Sequence, residues 1–103
     1  MDRIARIMEL LKANHEDSFL QHALALEYIK SGDDTMARQL FENILTRDPN
    51  YTGSYYHLAK LLERTGETAT AIAWYEKGMA VCRVAGDNHA YGELKAAYED
   101  LVE

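Results

Sequence analysis

Positions thirty-four residues apart in this 103-residue chain carry the same residue or the same kind of residue. Leu24 and Ala25 return as Leu58 and Ala59, Gly32 as Gly66, Ala37 as Ala71, Phe41 as Tyr75 and Glu42 as Glu76. Each recurring type has a structural meaning: small residues let helices approach closely, a glycine stops a helix, and an aromatic ring plugs a core. A period of this length marks a solenoid of helix-turn-helix units, each burying its apolar face only against its neighbours. Such an object reads as a binding scaffold, with the identity of what it binds almost unconstrained.

Periodicity and punctuation predict six helices. Residues 2–13 place Ile4, Ile7, Met8 and Leu11 at helical spacing, ended by Asn14-His15-Glu16. Asp17 or Ser18 can cap a second helix, because a short oxygen side chain accepts from the free amides of the first turn. It ends at Ser31-Gly32, where glycine takes the left-handed conformation cheaply. Asp34 caps a third helix, which runs to about Arg47 and is stopped by Asp48-Pro49. Thr52 or Ser54 starts a fourth, ended by Gly66. Thr68 starts a fifth that continues towards Ala85-Gly86, and a sixth opens near Asp87-Asn88.

Composition agrees with one compact helical domain. A chain of this length can bury about two thirds of its unfolded surface without a disulfide or metal staple. Its 48% hydrophobic and 10% aromatic content argues against disorder. Cys82 is the only cysteine, so no internal disulfide is possible; a reducing compartment and a buried, inert thiol are the expected readings. Met1-Asp2-Arg3-Ile4 lacks the apolar core of a secretory signal, and no segment has the apolar length of a membrane span. A cytoplasmic location is expected.

The residues that carry the repeat resemble the tetratricopeptide repeat (TPR) family, whose units run aromatic, Leu, small, aromatic, Gly, Ala, aromatic, Ala and Pro. The first unit matches at Leu24, Ala25, Tyr28, Gly32, Ala37, Phe41 and Pro49, and the second at Tyr55, Leu58, Ala59, Gly66, Ala71 and Tyr75. Gln21 stands in place of the first unit's opening aromatic, Leu62 in place of the second unit's Tyr, Ile44 and Gly78 in place of Ala, and Arg83 in place of the closing Pro. The last departure predicts that the fifth helix runs past its normal end. The resemblance implies an all-α fold, a TPR-like right-handed α-α superhelix or helical solenoid of about six antiparallel helices.

The repeat also phases the ends. Ile7, Leu10 and Leu11 sit one period before Phe41, Ile44 and Leu45, so residues 1–17 are expected to form an N-terminal capping helix. Repeat 1 then spans 18–51, repeat 2 spans 52–85, and residues 86–103 form a C-terminal cap, all in one domain. With two extra residues allowed in the preceding turn, Tyr91, Leu94 and Tyr98 align with Tyr55, Leu58 and Leu62. Lys95 then replaces the small residue at Ala25 and Ala59, as a solvent-facing cap requires. The array is expected to be complete at two units.

Catalytic and metal chemistry find little support. No glycine-rich phosphate loop, HExxH or CxxC motif occurs, and an enzyme is not expected. His15, His22, His57 and His89 do not pair at i, i+4 on one helix, so neither a metal site nor a cofactor is expected. Eleven basic against seventeen acidic residues give a net charge of −6, which disfavours nucleic acid. Asp2, Asp33, Asp34, Glu67 and Asp87 fall in first turns, where the helix dipole favours acids.

Subtracting the packing stripe leaves the surface of interest. Tyr55, Leu58, Ala59 and Leu62 form the inward face of the fourth helix, leaving Tyr56, His57, Lys60 and Arg64 outside it. The resemblance implies that first helices line a concave groove for an extended peptide or a partner's helix. The first-unit groove candidates are Phe19, His22 and Leu26. Burial competes for Phe19, Leu26 and Ile29, since the second helix is apolar nearly all round; Glu63 competes for the charge of Lys60 and Arg64. Trp74 reads as core or a convex-side contact. Two functions follow. One is an adaptor binding a partner's peptide, with an acidic or carboxylate-bearing segment suiting Lys60 and Arg64. The acid-tail clamp of some TPR proteins is not expected, because His22, Leu26 and His57 replace its Lys and Asn residues. The other is a self-associating homodimer.

Overall fold

Aspartates open four of the six helices in the computed structural model, which describes residues 2–103. Met1, the first residue of the expected N-terminal cap, lies outside them. The carboxylates of Asp2, Asp17, Asp33 and Asp87 accept from the amides of Ala5, Leu20, Met36 and Ala90 at 2.8, 3.0, 3.2 and 3.1 Å. Each cap satisfies an otherwise unpaired amide and contributes about 1 kcal/mol. The helices are α1 (Arg3–Leu11), α2 (Ser18–Lys30), α3 (Asp34–Arg47), α4 (Gly53–Arg64), α5 (Thr68–Ala85) and α6 (Asn88–Val102), with no strand among the described residues.

Several ends differ from expectation. Asp33, not Asp34, caps α3. The Asp33 amide donates to the Tyr28 carbonyl at 2.8 Å to close α2, so the turn is one residue tighter and Asp34 is already helical. α1 stops at Leu11, before residue 13, because the amides of Lys12 and Asn14 bond back to Met8, Glu9 and Leu11. Leu10 does not follow its repeat equivalent into the core; it is 54% exposed, whereas Ile44 is fully buried. α5 does run on, to 18 residues against 14 in α3. There Arg83 lies 5.2 Å from the Tyr91 ring and donates to its hydroxyl at 2.7 Å, tying the extension to α6.

The same turn closes α2 and α4. Gly32 and Gly66 both have φ of 86°, where a side chain would be strained. The next residues, Asp33 and Glu67, donate back to Tyr28 and Leu62 at 2.8 Å in each case. This is the Schellman closure, which satisfies carbonyls left open at a helix end.

The chain forms two compact units, one ending at Asp48 and the other spanning Pro49–Glu103. In the first, α2 packs against α1 and α3; in the second, α5 packs against α4 and α6, and α4 also meets α6. The first core gathers Ile7, Leu24, Ala25, Ala37, Phe41, Ile44 and Leu45. The second gathers Tyr55, Leu58, Ala59, Leu61, Leu62, Ala71, Tyr75, Cys82, Leu94 and Ala97. Burying one leucine side chain contributes ~2 kcal/mol. Burial pushes the Cys82 thiol's pKa up, with the Asp87 charge adding to the effect, so the group is held protonated.

Gly78 lets three helices of the second unit meet. A Cβ there would lie 2.7 Å from Cβ of Tyr55 and 2.9 Å from Cδ1 of Leu94, nearer than real contacts allow. The glycine standing where the repeat has Ile44 is therefore a packing device, and it brings α4 and α6 together against α5.

Candidate functional site

The outward face of α4 follows from what its inward face buries. Tyr55, Leu58, Ala59 and Leu62 are all fully buried, as the helical spacing predicts, and Leu61 and Ser54 join them. Tyr56 and His57 are left half-buried and Lys60 and Arg64 exposed. The Tyr56 and His57 rings meet edge to face at 5.6 Å. Loss of solvation lowers the His57 pKa, with the Glu93 carboxylate pulling it the other way, so the imidazole is neutral at pH 7.

The cations of this face have acidic company. Lys60 Nζ lies 3.5 Å from the Glu63 carboxylate, which also accepts a hydrogen bond from the Tyr75 hydroxyl. Burial, followed by that bond, pushes the Tyr75 pKa far up, so the phenol remains a donor. Glu63 is thus anchored from the core and neutralises part of the patch.

Tyr56 and Lys60 form one wall of a cleft of about 260 Å³ within the second unit. Glu93, Ala96, Ala97 and Asp100 of α6 form the other. His57 and Arg64 do not line it. Ala96 and Ala97 keep the cleft open because they place no bulk between the helices.

The three candidates of the first unit sit on α2. Phe19 is 69% exposed, so burial does not claim it. Despite its apolar composition, α2 buries only Leu24 and Ala25 completely; Leu26 and Ile29 are half-buried. His22 is half-buried, with its ring edge-on to core residue Phe41 at 5.5 Å, which gives it a packing role. Among the described residues, no three His, Cys, Asp or Glu side chains converge to hold a metal ion. No helix among them is long and apolar enough to cross a membrane. Trp74 is half-buried, 6.0 Å from the Tyr55 ring, with Lys77 Nζ 5.3 Å from its own ring.

Comparison with known proteins decides the family. Two tetratricopeptide repeat profiles match residues 20–51 and 40–73. The crystal structure of a tetratricopeptide repeat domain protein from Salinibacter ruber is 39% identical, covers 84% of this chain and 99% of its own, and superposes with a TM-score of 0.80. The chain belongs to the tetratricopeptide repeat family. A Bordetella parapertussis protein shares the TPR fold at 24% identity and a TM-score of 0.84, over 98% of this chain and 88% of its own. So does the Yersinia enterocolitica type III secretion translocator chaperone SycD, at 16% identity and 0.85, over 95% and 68%. No curated protein sequence matches the chain. The fold is an all-α, TPR-like helical solenoid.

The α6 wall of this TPR cleft is absent from the sequence-derived candidates, although the register that identifies α6 contains it. Setting Tyr91, Leu94 and Tyr98 against Tyr55, Leu58 and Leu62 places Glu93, Ala96 and Asp100 at the positions of His57, Lys60 and Arg64. Treating α6 only as a cap hides this face. Lys95, its solvent-facing residue, is exposed as expected.

Proposed function

We propose that this TPR protein is a non-enzymatic adaptor that binds a segment of a partner protein through the outward faces of its repeat helices. Membership of a family of protein-interaction modules supports the class. The observation that carries the specific reading is the α4–α6 cleft, an open slot walled by two outward-face residues, Tyr56 and Lys60. Tyrosine is among the residue types enriched where binding energy concentrates. His57 and Arg64 flank the slot on α4; Phe19, His22 and Leu26 offer contacts on α2. An acidic or carboxylate-bearing segment engaging Lys60 and Arg64 is one form of this reading. The cytoplasm is the proposed location, and neither nucleic acid nor a cofactor is required.

A second reading, homodimerisation, draws on the exposure of Phe19, a large apolar side chain left 69% open to solvent. Two measurements separate the readings. Native lysate is passed over wild-type protein and over a folded Lys60→Glu/Arg64→Glu variant, and the mass of the purified protein is followed against concentration. A partner whose retention changes with the variant, lost if its segment is acidic and strengthened if it is basic, from a chain of monomer mass, supports the adaptor. Identical retention with a concentration-dependent mass supports the dimer and contradicts the adaptor.

A further inference from the structure

The lining of the α4–α6 cleft specifies the chemistry of what enters it, on the reading that this face binds a segment of another protein. Three charged side chains line it: Lys60, Glu93 and Asp100. The Lys60 charge is already engaged by Glu63 at 3.5 Å. Glu93 has His89 Nε2 at 3.9 Å, a partner only when that histidine is protonated. Asp100 is exposed at the rim. The cleft therefore presents two carboxylates beside the Tyr56 ring and a small-residue floor. An aromatic ring combined with carboxylates is a receptor for a cation, since the ring quadrupole and the anionic oxygens attract the same charge.

Size and long-range field agree. Small-molecule pockets span about 300–1,000 Å³, so a cleft of about 260 Å³ is on the scale of one side chain. The chain's net charge of −6 steers basic partners towards it and repels acidic ones.

We propose that the α4–α6 cleft receives a lysine or arginine side chain from a basic segment of a partner protein. Arginine fits better, because its planar guanidinium stacks on an aromatic face while donating to a carboxylate as a fork. An acidic segment would meet Glu93 and Asp100 at the cleft and Glu63 beside it.

The test is a selection of random twelve-residue peptides displayed on phage against the full chain, run in parallel against Glu93→Gln/Asp100→Asn and Ala96→Lys. The first variant removes the charge without changing shape; the second places a tethered cation in the slot. All three positions are exposed, and circular dichroism checks that each variant is folded. The expected result is enrichment of sequences with Lys or Arg beside apolar residues by the wild type alone. A synthetic peptide of the enriched sequence then binds Glu93→Gln/Asp100→Asn about tenfold more weakly, the combined effect of two part-exposed charge contacts. Enrichment of acidic or charge-indifferent sequences overturns the basic-segment proposal and leaves the segment-binding reading standing. Basic sequences retained equally by both variants overturn the cleft as their site. No enrichment on any bait overturns the segment-binding reading itself.

Discussion

Gln21 and Tyr55 occupy the same place in the two repeats and make the same hydrogen bond. Gln21 Nε2 donates to the His15 carbonyl at 2.7 Å, and the Tyr55 hydroxyl donates to the Pro49 carbonyl at 2.6 Å. In both, the first helix of a unit is latched to the carbonyl six residues earlier. The surroundings differ: Tyr55 is fully buried, while Gln21 is half-buried and also accepts from Arg47 at 3.1 Å. The same contrast recurs at the position held by Glu27 and Leu61. Leu61 is buried in the second core, whereas Glu27 pairs with Arg3 of α1 at 3.1 Å and with Lys30 at 3.3 Å. The repeat thus preserves the latch and lets packing vary. The first unit adds the Arg3–Glu27 ion pair to the packing of Ile7 from a nine-residue α1, and the second closes α4 with apolar burial against α5 and α6.

Exchanging the latch residues breaks this comparison most sharply. Tyr55→Gln keeps a donor but empties part of a packed core, and should cost about 3–5 kcal/mol, as truncation of a buried aromatic does. Gln21→Tyr, at a half-buried site, should change stability by less than about 1 kcal/mol. Urea denaturation of both variants measures the asymmetry; equal effects would contradict it. Next comes Gly78→Ala. Helix propensity favours it by about 0.5–1 kcal/mol, but overpacking against Tyr55 and Leu94 costs about 1–3 kcal/mol. The expected result is a lower unfolding midpoint.

A smaller effect is expected where each unit ties its first helix to a later aspartate. Thr52 Oγ1 donates to Asp87 at 2.7 Å, and Ser18 Oγ donates to Asp48 at 3.3 Å. Thr52→Val should therefore destabilise more than Ser18→Ala at neutral pH. The Thr52 hydroxyl, followed by the Ala90 amide, holds the Asp87 carboxyl below its ordinary pKa. Stability from that group is present above its unfolded-state pKa and is lost as pH falls through the lower folded-state value. The Thr52→Val penalty should accordingly shrink in acid, which denaturation at neutral and acidic pH would show. Smallest is Phe19→Ser: at 69% exposure it should shift stability by no more than ~0.5 kcal/mol, while abolishing any dimer that uses this ring.

Helix order, the glycine stops of α2 and α4 and the overrun of α5 were legible because each depends on local chemistry: a glycine, a short oxygen side chain, or an arginine where a proline would stop the helix. The repeat identified the packing stripe at Leu24, Ala25, Leu58 and Ala59, all buried. What failed depended on neighbours rather than on spacing. Leu10 matches a core position in register, but the chain turns back at Lys12, and the side chain stays in solvent. Leu61 lies off the four-residue stripe and is buried because α4 meets both α5 and α6. The choice between Asp33 and Asp34 turned on a single backbone hydrogen bond that composition does not encode. The cleft was half visible: Tyr56 and Lys60 followed from subtraction on α4, while Glu93 and Asp100 required the same subtraction on α6.

The contrast between a second unit with the larger apolar core, which holds the cleft ready, and a first unit that relies more on polar contacts is tested most directly by native-state amide hydrogen exchange. The slowest-exchanging amides should belong to α4 and α5, with α1 and α2 opening at lower free energy. Amides of α2 exchanging as slowly as those of α4 would contradict this, and with it the contrast drawn between Gln21 and Tyr55.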